Sequence, residues 1–211
     1  MPRPLQYPSP VPRMPDIPDP EDKLLALRLH EGTEDLATRI LAAQNGDSGA
    51  RKWLAARWTP EIFRFCYRML GNEQDGRDAC QETMVKVLRT LDRYDRSRAF
   101  RPWILRIARN TCIDELRRRK RRAWDEPGDV VDRSPTPHEA TSAAQRAQQL
   151  HAAIQHLSPL YREVLVMYHF EHLKYREIAD ALDLPIGTVM NRIFRARQKL
   201  REQYVSQGGV L

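Results

Sequence analysis

Apolar residues recur at three- and four-residue spacings along most of the first half of the chain, which is the period of a helix that buries one face. Gly46, Gly71 and the segment 95–97 interrupt this pattern. The helices that it predicts cover residues 34–43, 49–56, 60–70, 75–91 and 100–121.

The same spacing continues in the second half of the chain. Two helices are marked by apolar triplets, Leu150, Ile154 and Leu157 in one and Leu160, Val164 and Met167 in the other. Residues 177–200 supply two further helices. Convincing period-two alternation, which is typical of a strand, is not found in the sequence. The pattern therefore predicts an all-α fold.

Composition divides the chain into segments. Residues 1–20 hold eight of the fifteen prolines, a density that no packed element tolerates. Residues 101–122 carry a net charge of +7, whereas residues 123–149 carry a net charge of −3 and several prolines. These changes predict two small helical domains joined by a flexible acidic linker. The predicted segments are a disordered proline-rich tail 1–22, a first domain 23–122, a linker 123–144, a second domain 145–205 and a tail 206–211.

The stretch 177–200 has the pattern of a helix-turn-helix. Pro185 ends one helix and suits the first turn of the next, which is predicted over 186–200. An apolar stripe follows one side of that helix at Val189, Ile193, Ala196 and Leu200. Polar and cationic residues that could contact base edges and phosphates lie on the other side: Thr188, Asn191, Arg192, Arg195 and Lys199. Taken alone, the stretch is equally compatible with a solvated basic face on an ordinary helical hairpin.

Aromatic and cationic residues come together around residues 100–122. Phe100 and Trp103 precede a strongly basic helix that includes Arg106 and Arg109. Rings that stack on bases and cations that follow the backbone are the combination used to bind single-stranded nucleic acid. The alternative is that these apolar residues form core, and we expect burial of Ile104, Ile107 and Cys112.

A polar helical face precedes this block. Asp78, Gln81 and Glu82 share one side of the helix predicted over 75–91 and could dock a helical partner. A solvated helix surface is the alternative interpretation of such a charge pattern.

These blocks, in this order, resemble the extracytoplasmic-function (ECF) sigma factors, the minimal two-domain sigma factors of bacterial RNA polymerase. The motifs are D-x-x-Q-E-T, then F-R-x-W-I-x-R-I-A-R-N-x-x-x-D-E-L-R-R-R, then L-S-P-L-Y-R-E-V-L, then Y-R-E-I-A-D-A-L-D-L-P-I-G-T-V-M-N-R-I-F-R-A-R. The resemblance covers roughly residues 34–122 and 145–204, and two separate blocks are more specific than either alone.

The resemblance implies a role for each block. Sigma region 2 would bind core RNA polymerase through Asp78, Gln81 and Glu82. It would capture the single-stranded minus-ten element, with the loop 93–100 helping to form a pocket for a flipped-out base. The residues implied in this capture are Phe100, Trp103, Arg106, Arg109, Asn110, Arg117 and Arg118.

Sigma region 4 would bind the duplex minus-thirty-five element. The residues implied are those of the outer face of the last helix: Thr188, Asn191, Arg192, Arg195 and Lys199. Two departures concern this surface, because many family members carry arginine at the position of Met190 and serine at the position of Asn191. In the polymerase-binding helix, Met84 and Leu88 replace frequent aromatics with other apolar side chains.

The expected function is to recruit core RNA polymerase to a promoter, to open the DNA and to start transcription, with the linker threading through the polymerase channel. The expected partners are core RNA polymerase, promoter DNA and an anti-sigma factor. We expect no cofactor and no metal. The net charge of +7 suits a polyanionic partner. Separate cysteines, no apolar run of about 20 residues and no secretory signal favour a cytoplasmic protein without membrane insertion.

Two alternatives compete with this interpretation. A helix-turn-helix regulator that binds duplex DNA without polymerase would explain 177–200 but would leave the N-terminal block without a use. An enzyme is disfavoured, because no nucleophile motif or glycine-rich phosphate loop is found. His169 and His172, three residues apart on a predicted helix, could share a metal, but no third ligand is evident.

Overall fold

The computed structural model describes residues 33–125 and 142–206, and the regular structure within these ranges is helical, as predicted. The α-helices in these ranges are α1 (Thr33–Gln44), α2 (Ser48–Leu70), α3 (Glu73–Thr90), α4 (Phe100–Asp125), α5 (Ser142–His156), α6 (Pro159–His169), α7 (Tyr175–Leu182) and α8 (Ile186–Ser206). A 3₁₀ turn, Leu91–Arg93, follows α3. The predicted tail 1–22 and most of the predicted linker 123–144 lie outside the described residues.

The chain divides into two units, Met1–Thr38 and Arg39–Leu211. The described part of the first unit is the beginning of α1. Within the second unit, α2, α3 and α4 pack together, and α5, α6, α7 and α8 pack together. Helices of the first group also contact helices of the second: α2 contacts α5 and α6, and α4 contacts α7.

Helix α2 is continuous, so the prediction of separate helices over 49–56 and 60–70 is wrong. Asp47 caps its first turn by accepting a hydrogen bond from the Ala50 amide, and Gly71 ends it in a left-handed conformation with φ 87°. Pro60 lies inside the helix. It is tolerated because that turn is exposed and water can reach the carbonyl left without its amide partner.

The core of the first three-helix group is apolar. Its largest fully buried side chains from α2 are Leu54, Ile62, Phe65 and Met69, and α4 adds Ile104 and Leu105. Burial of Ile104 and Cys112 is confirmed, whereas Ile107 is only partly buried. Cys66, Cys80 and Cys112 are buried free thiols. Burial, together with the neighbouring Cys66, raises the pKa of Cys80 to about 12, which keeps that thiol protonated.

Close approach of α2 and α3 depends on Gly76. A Cβ added there would lie 3.2 Å from the Cα of Tyr67, a backbone atom that cannot move aside like the end of a side chain. Glycine therefore sets the distance between these two helices.

The helix-turn-helix prediction is confirmed in its geometry. Helix α7 ends at Leu182, Asp183 adopts a left-handed conformation with φ 54°, and α8 begins just after Pro185. The predicted apolar stripe of α8 is buried throughout: Val189, Ile193, Ala196 and Leu200. Among the described residues, none of the helices combines the length and the apolarity needed to cross a membrane.

Candidate nucleic-acid interface

An aromatic cluster surrounds the first turn of α4. The ring of Phe100 lies 5.4 Å from that of Trp58, 5.1 Å from that of Tyr94 and 5.3 Å from that of Trp103. The helix begins at Phe100, so both predicted aromatics lie inside it and do not precede it. Phe100 is buried in the cluster, while Trp103 keeps part of its surface exposed. Trp103 is therefore the ring of this pair that a base can reach.

The loop before α4 is exposed at residues 95–99 but held at its base. Gln44 donates hydrogen bonds to the carbonyls of Leu91 (3.0 Å) and Tyr94 (2.9 Å). The Tyr94 hydroxyl donates to the carbonyl of Arg98, and the Asp95 carboxylate accepts from the Ser97 amide at 2.9 Å. These bonds fix the loop beside Trp103 while leaving its outer surface open to solvent.

The outer face of α4 carries exposed Arg106 and Asn110. The Arg109 guanidinium donates to the Asn110 side-chain oxygen at 3.0 Å, which leaves the amide nitrogen of Asn110 directed elsewhere. In the described part of the chain, Arg106 has no carboxylate within 4 Å. An exposed amide beside free and bound cations has the donors and acceptors needed to contact a base edge and its backbone.

Glu163 joins the two predicted DNA-binding surfaces. Its carboxylate lies 2.7 Å from Nε of Arg109 on α4 and 3.4 Å from a guanidinium nitrogen of Arg192 on α8. The glutamate is 1% exposed, and both arginines are largely covered. In this conformation, the charges of Arg109 and Arg192 are therefore directed into the protein and are unavailable for phosphates.

A second cluster of charges lies where α2, α4 and the segment after α6 meet. Arg101 contacts Glu61 at 2.6 Å and Glu171 at 2.9 Å, and Arg68 contacts Glu171 at 3.6 Å. Burial and the nearby charge of Glu61 raise the pKa of Glu171 to about 7. Sequence reasoning missed Glu61, Glu163 and Glu171. For Glu61 and Glu163 the signal was an acid among the apolar residues of a helix, as at Glu163 beside Val164, whereas Glu171 lies after a helix and carried no such signal.

The predicted polymerase-binding face lies on α3. Asp78 and Gln81 are exposed, and Glu82 is partly exposed. Hydrogen bonding from Lys86, and then from Arg118, lowers the pKa of Glu82, which keeps this carboxylate charged. Val85 is exposed on the same face, one turn further along.

The structure brings a predicted polymerase-binding residue and a predicted DNA-binding residue together. Glu82 lies 3.2 Å from Arg118, which also contacts Glu115 at 3.1 Å. Arg117 lies 3.7 Å from Asp114 on its own helix. These contacts are exposed, so each stabilises the fold only weakly and can be exchanged for a contact with a partner.

The outer face of α8 presents exposed Asn191, Arg195 and Lys199, with Thr188 partly exposed. The Lys199 ammonium lies 5.8 Å from the centre of the Tyr161 ring. Arg192, the remaining predicted residue, is held by Glu163. The structure thus places four of the five predicted residues on an accessible surface and one in an ion pair.

The two histidines do not share a helix, so that part of the prediction is wrong. Helix α6 ends at His169, and His172 follows in a left-handed conformation with φ 49°. Nε2 of His169 accepts a hydrogen bond from Nε of Arg197 at 3.0 Å. Burial and the charge of Arg197 lower the pKa of His169 to about 4, so the imidazole ring is neutral. Within residues 33–125 and 142–206, no cluster of three candidate ligands could hold a metal.

Known protein families match both halves of the chain. The model of sigma-70 region 2 matches residues 54–122, and that of sigma-70 region 4 matches residues 147–200. The ECF RNA polymerase sigma factor SigW of Bacillus subtilis (strain 168) is 30% identical over 176 residues, which cover 78% of this chain and 94% of that protein. The ECF RNA polymerase sigma factor SigE of Mycolicibacterium smegmatis is 31% identical over 175 residues, which cover 80% of this chain and 68% of that protein.

Solved structures of similar fold agree. The sigma factor RpoE of Bartonella quintana, in complex with the anti-sigma factor NepR, aligns with a TM-score of 0.63 and 24% identity, covering 72% of this chain and 94% of that one. CnrH, in complex with the cytosolic domain of CnrY, aligns with a TM-score of 0.62 and 25% identity, covering 81% of this chain and 97% of that one.

Proposed function

This chain belongs to the ECF RNA polymerase sigma factors, and from that premise we propose how its surfaces divide the work of starting transcription. As a sigma factor it binds core RNA polymerase, recognises promoter DNA and promotes initiation. RNA synthesis itself belongs to the polymerase, and this chain supplies recognition and strand opening as a non-enzymatic cytoplasmic subunit.

We assign polymerase binding to the exposed face of α3. Asp78 and Gln81 are accessible there, and Glu82 stays charged because Lys86 and Arg118 stabilise its carboxylate. Exposed Val85 adds apolar surface to the same face. A charged face with an apolar side chain inside it is the usual composition of a protein-binding helix surface.

We assign the minus-ten element to α4 and the loop before it. Asn110 supplies an amide to the edge of an unpaired base, Trp103 supplies a partly exposed ring, and Arg106 contacts the backbone. Phe100 supports this surface from the buried side of the aromatic cluster. Strand opening follows from differential binding, because the surface binds unpaired bases more tightly than paired ones.

We assign the duplex minus-thirty-five element to α8. Asn191 and Arg195 are exposed near the N-terminal half of the helix, where a recognition helix contacts base edges. Lys199 follows along the same side and suits phosphate contact. The domain limits proposed above, 23–122 and 145–205 with a linker 123–144, place one surface in each domain.

The observation that supports this proposal best is the presence of two exposed nucleic-acid surfaces, on α4 and α8, in one chain whose two halves match regions 2 and 4. A duplex-binding regulator would need only the second surface. The solved relatives bound to NepR and to the cytosolic domain of CnrY support an anti-sigma factor as a further partner.

Reconstitution with core RNA polymerase tests the proposal. We expect the full chain to direct the polymerase to start at a defined promoter, and to bind that promoter only weakly without the polymerase. Gln81→Ala should weaken assembly with core, whereas Thr90→Ala, an exposed control on the opposite side of the same helix, should not. Tight duplex binding without the polymerase, combined with no initiation in its presence, would contradict the proposal and favour a duplex-binding regulator.

A further inference from the structure

An apolar patch lies exposed on the recognition helix. Ile186, Met190 and Phe194 are 39%, 48% and 37% exposed, and they are spaced by four residues along α8. Residues four apart on a helix lie about 40° apart around its axis, so the three side chains form one continuous row. Large exposed apolar surface on a polar helix indicates an interaction site.

The patch borders the surface assigned to the minus-thirty-five element. Asn191 directly follows Met190, and Arg195 directly follows Phe194, so each polar side chain projects about 100° around the helix axis from its apolar neighbour. Both polar residues are exposed. A groove that encloses the exposed side of the helix, as the major groove does with a recognition helix, therefore contacts both rows.

The surroundings of the patch favour DNA as its partner. Exposed Arg195, Lys199 and Arg201 follow it along α8 and give the helix the cations that a polyanion requires. In the major groove, the methyl group of thymine is the apolar group that a base pair presents to a side chain. A long, flexible thioether is well suited to contact it, because methionine adapts its shape to an irregular surface.

We propose that Met190 contacts a thymine methyl group in the major groove of the minus-thirty-five element, and so specifies a T·A pair at one position. The inference rests on the function proposed above. Arginine at this position would form charged contacts, whereas methionine selects for an apolar one. Met190 therefore changes which base pair is preferred while the surrounding cations keep their phosphate contacts.

Replacing thymine with deoxyuridine tests the proposal, because it removes the methyl group and leaves the pairing unchanged. A promoter is first selected from a library with a randomised upstream element, using core polymerase assembled with the full chain. Each upstream thymine is then replaced singly, and the dissociation constant of the holoenzyme is measured. We expect one position at which the affinity falls about fourfold, the effect of losing one buried methyl-sized contact.

Variants link that position to Met190. Met190→Ala should make the holoenzyme insensitive to the replacement, and Met190→Leu, of similar size, should keep the sensitivity. Val205→Ala removes an equally exposed apolar side chain near the end of the same helix and should behave like the wild-type chain.

Three results would overturn the proposal. One is initiation at the selected promoter with no methyl-sensitive thymine. Another is a methyl-sensitive position that Met190→Ala leaves unchanged. The third is a Met190-dependent self-association of the chain in sedimentation, which would assign the patch to a protein contact. Failure to initiate at any promoter would instead refute the proposed function.

Discussion

Helices α4 and α8 both carry the cations of a proposed nucleic-acid surface, but the surroundings of these cations differ. On α4, Arg118 is bound by Glu82 and Glu115, and Arg119 by Asp75 and Glu115. On α8, within the described residues, the exposed Arg195 and Arg201 have no carboxylate within 4 Å. The protein's own acids thus position Arg118 and Arg119 on α4, while Arg195 and Arg201 on α8, like Arg106 near the start of α4, remain open to solvent.

This difference bears on what each surface has to bind. An unpaired strand is flexible, so a loop held by hydrogen bonds and cations positioned by weak, exchangeable ion pairs limit the ordering that binding requires. A duplex is already rigid and highly charged, so mobile cations can adapt to its phosphates and release counterions. Glu163 is the exception to the contrast, because it fixes one arginine from each surface in a buried ion pair.

Removing Glu163 should have the largest effect on the fold. Glu163→Ala leaves Arg109 and Arg192 without their shared carboxylate in a largely covered position, and we expect a loss of about 3 kcal/mol in the free energy of unfolding. Urea denaturation followed by circular dichroism measures it. Glu82→Ala removes an exposed pairing and should cost less than about 1 kcal/mol. Equal losses would show that burial does not distinguish the two acids.

The stability of the packed helices α6, α7 and α8 should depend on pH through His169. Its pKa is lowered to about 4 from an ordinary value near 6.5, so its contribution is complete above pH 6.5 and is lost as the pH falls towards 4. After allowance for partial exposure, the loss is about 1–2 kcal/mol. It is measured as the difference in unfolding free energy between the wild-type chain and His169→Gln at pH 7.5, 6 and 5.

The difference in unfolding free energy between the wild-type chain and His169→Gln reports on His169 and not on Glu171. The raised pKa of Glu171, about 7, has the opposite sign, because its contribution is complete below pH 4.5 and is lost as the pH rises through 7. Both chains in the comparison retain Glu171, so its effect cancels. A difference that stays constant from pH 7.5 to pH 5 would contradict the role assigned to the neutral imidazole.

Asn110→Ala should reduce open-complex formation about tenfold, the equivalent of about 1.4 kcal/mol, because one amide contact to an unpaired base is lost. Permanganate footprinting of unpaired thymines measures the open complex. Affinity for the duplex upstream element should not change. Normal opening by this variant would remove Asn110 from the minus-ten surface.

The smallest expected effect is on the salt dependence of DNA affinity, and it compares the cations of α4 with those of α8 directly. Arg195→Ala should reduce the slope of log affinity against log salt concentration by about 0.9, the value for one phosphate contact. Arg118→Ala should change this slope less, because Arg118 already forms ion pairs with Glu82 and Glu115. Fluorescence anisotropy of the holoenzyme on promoter DNA measures both slopes. Equal changes would show that the pairing on α4 does not persist in the complex.

Local patterns in the sequence predicted the position and the buried side of α8 well. The stripe of Val189, Ile193, Ala196 and Leu200 fixes the buried side of α8, and its outer face follows by geometry. The prediction of separate helices over 49–56 and 60–70 is wrong because apolar spacing does not show that the turn at Pro60 faces solvent, where the helix can continue. Exposure depends on tertiary packing, which spacing alone does not contain.

The ion pairs between distant residues could not be predicted for the same reason. Arg109 and Glu163 are 54 residues apart, and only the packing of the helices brings them to 2.7 Å. Sequence motifs predicted DNA binding by Arg109 and Arg192, but they do not show that the Glu163 carboxylate pairs with both side chains. The structure adds these ion pairs and the exposed patch at Met190.

Gly76 has a consequence for how mutations act at a distance. A methyl group there would meet the backbone of Tyr67 and push α3 outward by a few tenths of an ångström. Asp78 and Gln81 would move with the helix, although neither side chain had been altered. The orientation of the proposed polymerase-binding face therefore depends on a single hydrogen atom on the buried side of the same helix.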